Sequence, residues 1–95
     1  MKNIIVYGAG EFGALIANIL SYYEEFKIMA YGDDDPQKIG ESIEDIPILE
    51  QSALLDFAKE NGISTAITAI GNNFVRGEKY TLLKENGFEM ISIVH

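Results

Sequence analysis

Ile4-Ile5-Val6-Tyr7-Gly8-Ala9-Gly10-Glu11-Phe12-Gly13 is the stretch on which the reading of this chain turns. Asn3 to Tyr7 is an apolar, β-branched run that stops at a glycine, the pattern of a short strand buried on both faces. Beyond the glycines the period changes. Phe12, Leu15, Ile16, Ile19, Leu20 and Tyr23 recur at helical spacing, so Glu11 to about Tyr23 reads as an amphipathic helix. The turn between them has the spacing G-x-G-x-x-G. Its first glycine permits a tight turn, its second lets a ligand approach the backbone, and its third lets the helix lie close to the strand. Exposed N–H groups at such a helix start can hold a phosphate through the helix dipole. Gly8, Gly10, Glu11, Phe12 and Gly13 are therefore candidate ligand contacts. Glu11 carries a structural reading beside that one, because a carboxylate in the first turn suits the dipole and repels a phosphate.

Downstream, Phe26 to Tyr31 reads as a second strand, ended by Gly32-Asp33-Asp34-Asp35-Pro36. Asp33 lies about 20 residues beyond Gly13, where dinucleotide folds place the acid that accepts from ribose hydroxyls. Asp34 is an equal candidate. Carboxylates here disfavour a 2′-phosphate and could equally accept from a pyrimidine N–H. The three aspartates lack the regular spacing of a dedicated cation loop, and no metal site is expected. Gln37 to Asp45 reads as a surface loop and Pro47 to Leu49 as a brief extended piece. Ser52 is placed to cap a helix from Ala53 to Glu60, stopped by Asn61-Gly62. Thr65 to Ile70 is a third strand, and again it ends at a glycine, in Gly71-Asn72-Asn73. A helix from Phe74 to Glu85 and a strand from Phe88 to Val94 complete the series.

Strand and helix alternate throughout, the pattern of a parallel sheet with helices on its faces. The expectation is an α/β, Rossmann-like half with a four-stranded, mainly parallel sheet in the order 2-1-3-4 and helices on both faces. Ligands of open α/β sheets sit where the strand order reverses. There Gly71, Asn72, Asn73 and Arg76 would form the second lip of a crevice, with Arg76 supplying paired donors to a diphosphate. Lys79, one turn further, reads as a solvated helix residue. Tyr22, Tyr23, Tyr31 and Tyr80 read as core or rim.

Composition narrows the function. At 95 residues there is room for a single domain. Cysteine is absent, which excludes disulfides and thiolate zinc, and the one histidine, His95, has no visible catalytic partner. A net charge of −8 argues against nucleic acid or an anionic membrane as partner. No apolar run approaches the ~20 residues of a membrane span, and no signal-peptide pattern follows Met1, so a cytoplasmic location is expected.

The glycine turn, Asp33-Asp34-Asp35-Pro36-Gln37-Lys38-Ile39-Gly40, Ile46-Pro47-Ile48-Leu49, and Ile70-Gly71-Asn72-Asn73 with Arg76 together resemble the N-terminal domain of bacterial sugar-nucleotide acetyltransferases of the left-handed β-helix, hexapeptide-repeat class. The likeness spans nearly the whole chain, including Glu85-Asn86-Gly87-Phe88 and Ile93-Val94-His95. It implies a domain, residues 1–95, that holds the nucleotide of a UDP-sugar without catalysing and binds no cofactor itself. In that family a following β-helix, here absent, binds acetyl-CoA, supplies the catalytic histidine and builds a homotrimer. The family often has a small polar residue and a histidine where this chain has Gly10 and Phe12. The first two-thirds also look like the leading domain of membrane-linked nucleotide-sugar epimerases and dehydratases. Two alternatives remain open: an NAD-binding half-domain of a dehydrogenase or redox sensor, and a non-enzymatic interaction module.

Overall fold

Ile4, Ile5 and Val6 are wholly buried because β1, Lys2–Tyr7, runs up the middle of the sheet with a strand on either side. The computed structural model describes residues 2–23 and 25–91. Alternation along β1 sends Ile5 and Tyr7 to one face and Ile4 and Val6 to the other, and each pair seeds its own apolar cluster. On the first face pack Leu54 and Ala58 of α2, Gln51–Glu60, and Leu83 of α3, Asn73–Glu85. Leu20 of α1, Glu11–Leu20, covers the other face, with Ile16 and Ala17 beside it.

The remaining strands are β2 (Phe26–Gly32), β3 (Ser42–Ile43), β4 (Ile46–Leu49), β5 (Thr65–Thr68) and β6 (Glu89–Met90). They form a six-stranded sheet in the order β3-β4-β2-β1-β5-β6. All pairings are parallel except the β3–β4 hairpin. The expected order of the four principal strands is thus found as β2-β1-β5-β6. Two strands are added at the β2 edge, in the stretch expected to be a loop and a brief extended piece. Glu41 and Ile48 explain it: the Ile48 N–H donates to the Glu41 carbonyl (2.9 Å) and the Gly40 N–H to the Ile48 carbonyl (3.0 Å), folding the acidic stretch back on β4. A two-residue turn at Glu44 and Asp45 closes the hairpin, both at positive φ (49° and 68°).

Other boundaries also move. α1 ends at Leu20 rather than near Tyr23, because Tyr22 and Tyr23 donate to Ile19 and Leu20 carbonyls in a tightened turn (3.1 and 2.9 Å). α2 starts at Gln51, and its cap is Glu50, whose Oε1 accepts from the Ala53 N–H at 3.0 Å. The Ser52 hydroxyl instead donates to that same carboxylate. In β6 the described part of the last strand is Glu89–Met90, and the part of the expected strand from 92 to 94, like His95, lies outside the described residues.

Candidate functional site

β1 is the strand from which connections leave in both directions, to β2 through α1 and, by way of α2, onto β5 on its other side. The carboxyl ends of these three strands form the crevice that such a reversal creates. The ladder continues a residue past each strand. Gly8 N–H donates to the Gly32 carbonyl and Ala69 N–H to the Tyr7 carbonyl, both at 2.7 Å. Gly8 has φ +118°, and a Cβ there would come within 2.3 Å of the Ala69 carbonyl oxygen, so only glycine fits where β1 turns beside β5. Gly13 does the work assigned to the third glycine: a Cβ on it would meet the Gly8 carbonyl oxygen at 2.3 Å.

At the mouth lies a cavity of about 230 Å³ walled by Gly8, Gly10, Glu11 and Phe12 on one side, and by Asp33, Asp34 and Lys38 on another. Ala69, Ile70 and Gly71 close the third side. Gly10 stands at the cap position of α1 and no side chain caps the helix, so the first amides of α1 face the crevice without a protein side-chain acceptor.

The two aspartates take different tasks. Asp33 ties the crevice together, its Oδ2 accepting from the Ala9 N–H (2.8 Å) and its Oδ1 from the Asp35 N–H (2.9 Å). Asp34 belongs to a second network. Tyr7, 1% exposed, donates its hydroxyl to Asp34 Oδ1 at 2.5 Å. The Lys79 ammonium sits 2.9 Å from Asp34 Oδ2, donates to Gln51 Oε1 at 2.8 Å, and lies 4.8 Å from the centre of the Tyr7 ring. The Lys79 side chain is only 14% exposed, whereas that of Asp34 is 58% exposed. Burial, then the hydrogen bond to Asp34, pushes the Tyr7 hydroxyl far above the usual tyrosine range. The same bond, followed by Lys79, holds the Asp34 carboxyl below the usual carboxylate range. Tyr7 is therefore a fixed donor and Asp34 a fixed anion at neutral pH.

Of the residues singled out from the sequence, Gly8, Gly10, Glu11, Phe12, Asp33, Asp34 and Gly71 line this cavity together, and Gly13 packs beneath it. Asn72 is spent on structure, its Oδ1 accepting from the Val75 N–H (3.0 Å) as the cap of α3. Asn73 and Arg76 line a neighbouring groove of about 500 Å³, which shares only Phe12, Ala69 and Ile70 with the crevice. There Arg76 Nη2 donates to Asn73 Oδ1 at 2.5 Å, and its expected place at the diphosphate is not where the fold puts it. Phe12 separates the two hollows, its ring against Gly71, where an added Cβ would lie 2.9 Å from it. Lys79, read as solvated, is the inward cation of α3. Tyr7 and Lys38 were not singled out as site residues. Tyr7 ends β1 directly before the glycine turn, a position that by itself places it at the crevice.

Among the described residues, no group of three or more His, Cys, Asp or Glu is placed to hold a metal ion, and no helix is long and apolar enough to cross a membrane.

The family model of the PglD N-terminal domain matches residues 3–83. A redox-sensing transcriptional repressor Rex from Caldicellulosiruptor saccharolyticus is 33% identical over 89 residues, covering 93% of this chain and 40% of the repressor. The chain thus spans about two-fifths of that relative's length. Among solved structures, UDP-D-quinovosamine 4-dehydrogenase from Vibrio fischeri superposes with a TM-score of 0.86 at 28% identity, over 99% of this chain and 79% of that one. The acetyltransferase domain of PglB from Neisseria gonorrhoeae, solved with acetyl coenzyme A, gives 0.65 at 25% identity over 93% of this chain and 41% of that one.

Proposed function

The chain belongs to the PglD N-terminal domain family, and we propose that it is the nucleotide-sugar-binding domain of a cytoplasmic sugar O- or N-acetyltransferase serving bacterial glycan assembly, taking a UDP-sugar at the crevice. In this reading it binds and does not catalyse. Acetyl-CoA and the catalytic histidine belong to a partner left-handed β-helix domain, which also gives the parent protein its trimeric assembly.

One observation carries the proposal: the uncapped start of α1 and the ionised, exposed Asp34 carboxylate open on the same cavity, one suited to a phosphate and the other to a hydroxyl or ring N–H. At about 230 Å³ the cavity is smaller than the ~300 Å³ at which pockets for whole small molecules begin, so it takes part of a ligand while the rest lies along the open lip. Gly8, Gly10 and Gly71 would line the diphosphate, and Asp34 would hold the base or ribose. The similarity to a UDP-sugar dehydrogenase and to an acetyltransferase domain supports this choice.

The identity to Rex repressors favours a second reading, an NAD-binding domain. At the dinucleotide position Asp33 accepts from the Ala9 and Asp35 N–H groups, and Asp34 accepts from Tyr7 and Lys79. Each carboxylate keeps acceptor sites for a ligand, so neither by itself separates the two readings. Thermal denaturation with UDP, a UDP-sugar, NAD, NADP or CoA separates the two. Ligand at a hundred times its dissociation constant adds about 2.7 kcal/mol, which in a domain of this size is a rise of roughly 10 °C or more. A rise with UDP compounds is expected; a rise with NAD and none with UDP compounds would overturn the proposal.

A further inference from the structure

Charge at the crevice is unevenly supplied. Glu11, Asp33 and Asp34 line the cavity, yet a nucleoside diphosphate is itself an anion, and a chain of net charge −8 needs a local cation to admit it. The two cations of α3 nearest the crevice are committed elsewhere. Arg76 lies in the neighbouring groove on Asn73, and Lys79 is neutralised by Asp34.

Lys38 is the one lysine or arginine among the described residues that lines the cavity. The aspartate-proline turn places it there. Asp35 accepts from the backbone N–H of Gln37 through its side chain (2.9 Å) and from that of Lys38 through its carbonyl (3.0 Å), which swings the lysine back over the glycine loop. Its ammonium comes so close that a Cβ on Gly10 would lie 3.0 Å from it. Among the described residues no carboxylate is within ion-pair distance of it, Glu11 included. An ammonium held beside the positive end of α1 is electrostatically unfavourable by itself. An anion between the two reverses the sign of both interactions.

We propose that Lys38 is the specificity-determining cation of this crevice, clamping the diphosphate of the bound nucleotide against the first amides of α1. This deepens the nucleotide-sugar reading and rests on it for the location of the ligand. The chemistry named, a nucleoside diphosphate, is shared by UDP-sugars and by NAD, so the test keeps the two apart.

Titration calorimetry of the whole chain with UDP, uridine and NAD, for wild type, Lys38→Met and Lys38→Arg, decides the matter. Loss of a charge-assisted contact is expected to weaken UDP about tenfold or more in Lys38→Met, to leave uridine unchanged, and to be largely restored in Lys38→Arg. Equal loss for UDP and uridine, or none for either, overturns the role of Lys38 whatever the ligand. If wild type binds NAD in place of UDP and Lys38→Met weakens it tenfold, Lys38 keeps its role and the sugar-nucleotide reading falls. Binding of neither diphosphate by wild type overturns both. The unliganded melting midpoint of Lys38→Met should equal or exceed that of wild type, because a repulsive charge has been removed; a fall of several degrees would show Lys38 to be structural and sink the proposal.

Discussion

Tyr7 and Asp34 make one hydrogen bond, but cutting it from either end should not cost the same. Tyr7→Phe removes the buried hydroxyl and leaves Asp34, whose side chain is 58% exposed, free to turn to water. The cost is the net worth of one hydrogen bond to a screened charge, about 1 kcal/mol. Asp34→Ala leaves the Tyr7 hydroxyl, on a residue 1% exposed, without its acceptor and removes the carboxylate from Lys79. An unpaired buried donor costs about 1–3 kcal/mol, and the ammonium keeps Gln51, so about 2 kcal/mol is expected in all. For a domain of this length each kcal/mol is roughly 4–8 °C in Tm. Urea and thermal denaturation at pH 7 should therefore place the variants in the order wild type, Tyr7→Phe, Asp34→Ala.

The same bond has a pH signature. Because the folded-state pKa of Asp34 is depressed below its ordinary 3.8, its contribution is fully present above that value and is lost as pH falls through the lower folded value. The gap between wild type and Asp34→Ala should stay constant from pH 7 to 5 and narrow below about pH 4, as the charge-dependent part of the bond is lost. Carboxyl carbon NMR of Asp34 should show its titration moving back toward 3.8 in Tyr7→Phe. A Tyr7→Phe variant less stable than Asp34→Ala, or one in which Asp34 titrates as in wild type, would refute the network.

Glu44 and Asp45 both occupy the left-handed region at a two-residue hairpin turn that favours Asn-Gly. Their joint replacement by Asn and Gly should raise stability by about 1 kcal/mol, and an unchanged urea midpoint would contradict that. Gly8→Ala should reduce stability by more than about 3 kcal/mol or prevent folding, because its Cβ meets a backbone carbonyl that cannot swing aside; a soluble variant melting like wild type would disprove the packing. Asn72→Ala should lower stability by about 1 kcal/mol, checked by urea denaturation, while leaving UDP affinity unchanged by calorimetry. Glu11→Gln, which removes an anion from the crevice wall, should tighten UDP about two- to fivefold, and weaker binding would show that Glu11 touches the ligand favourably.

The sheet centre and the crevice position were legible because local signals agreed. An apolar β-branched run, a change of period and glycines at fixed spacing leave one arrangement for Ile4 to Gly13. The hairpin from Glu41 to Ile48 was not legible, since its turn is Glu-Asp where a two-residue turn normally shows Asn-Gly, and its strands are two and four residues long. Asp33 shows a subtler limit. Its spacing correctly brought it to the crevice, but spacing counts residues and cannot say whether a carboxylate faces a ligand or the Ala9 amide.

The cations are the most instructive case, because the signal was present in the helix phase. Leu83 is the fully buried residue of α3. Counting back by four reaches Lys79 and then Val75, which lines the crevice. Arg76 falls one position after Val75, about 100° further round the helix, with Asn73, Gly77 and Tyr80 in the neighbouring groove. The stripe of Val75, Lys79 and Leu83 therefore puts Lys79 on the inward side of α3 and Arg76 on the side of the groove. Lys38 lies on no such stripe. Its place over Gly10 depends on where Asp35 turns the chain, a tertiary fact with no period to reveal it. A helix phase can thus reassign a charge along α3, whereas a cation delivered by a loop emerges only when the loop is folded against its helix.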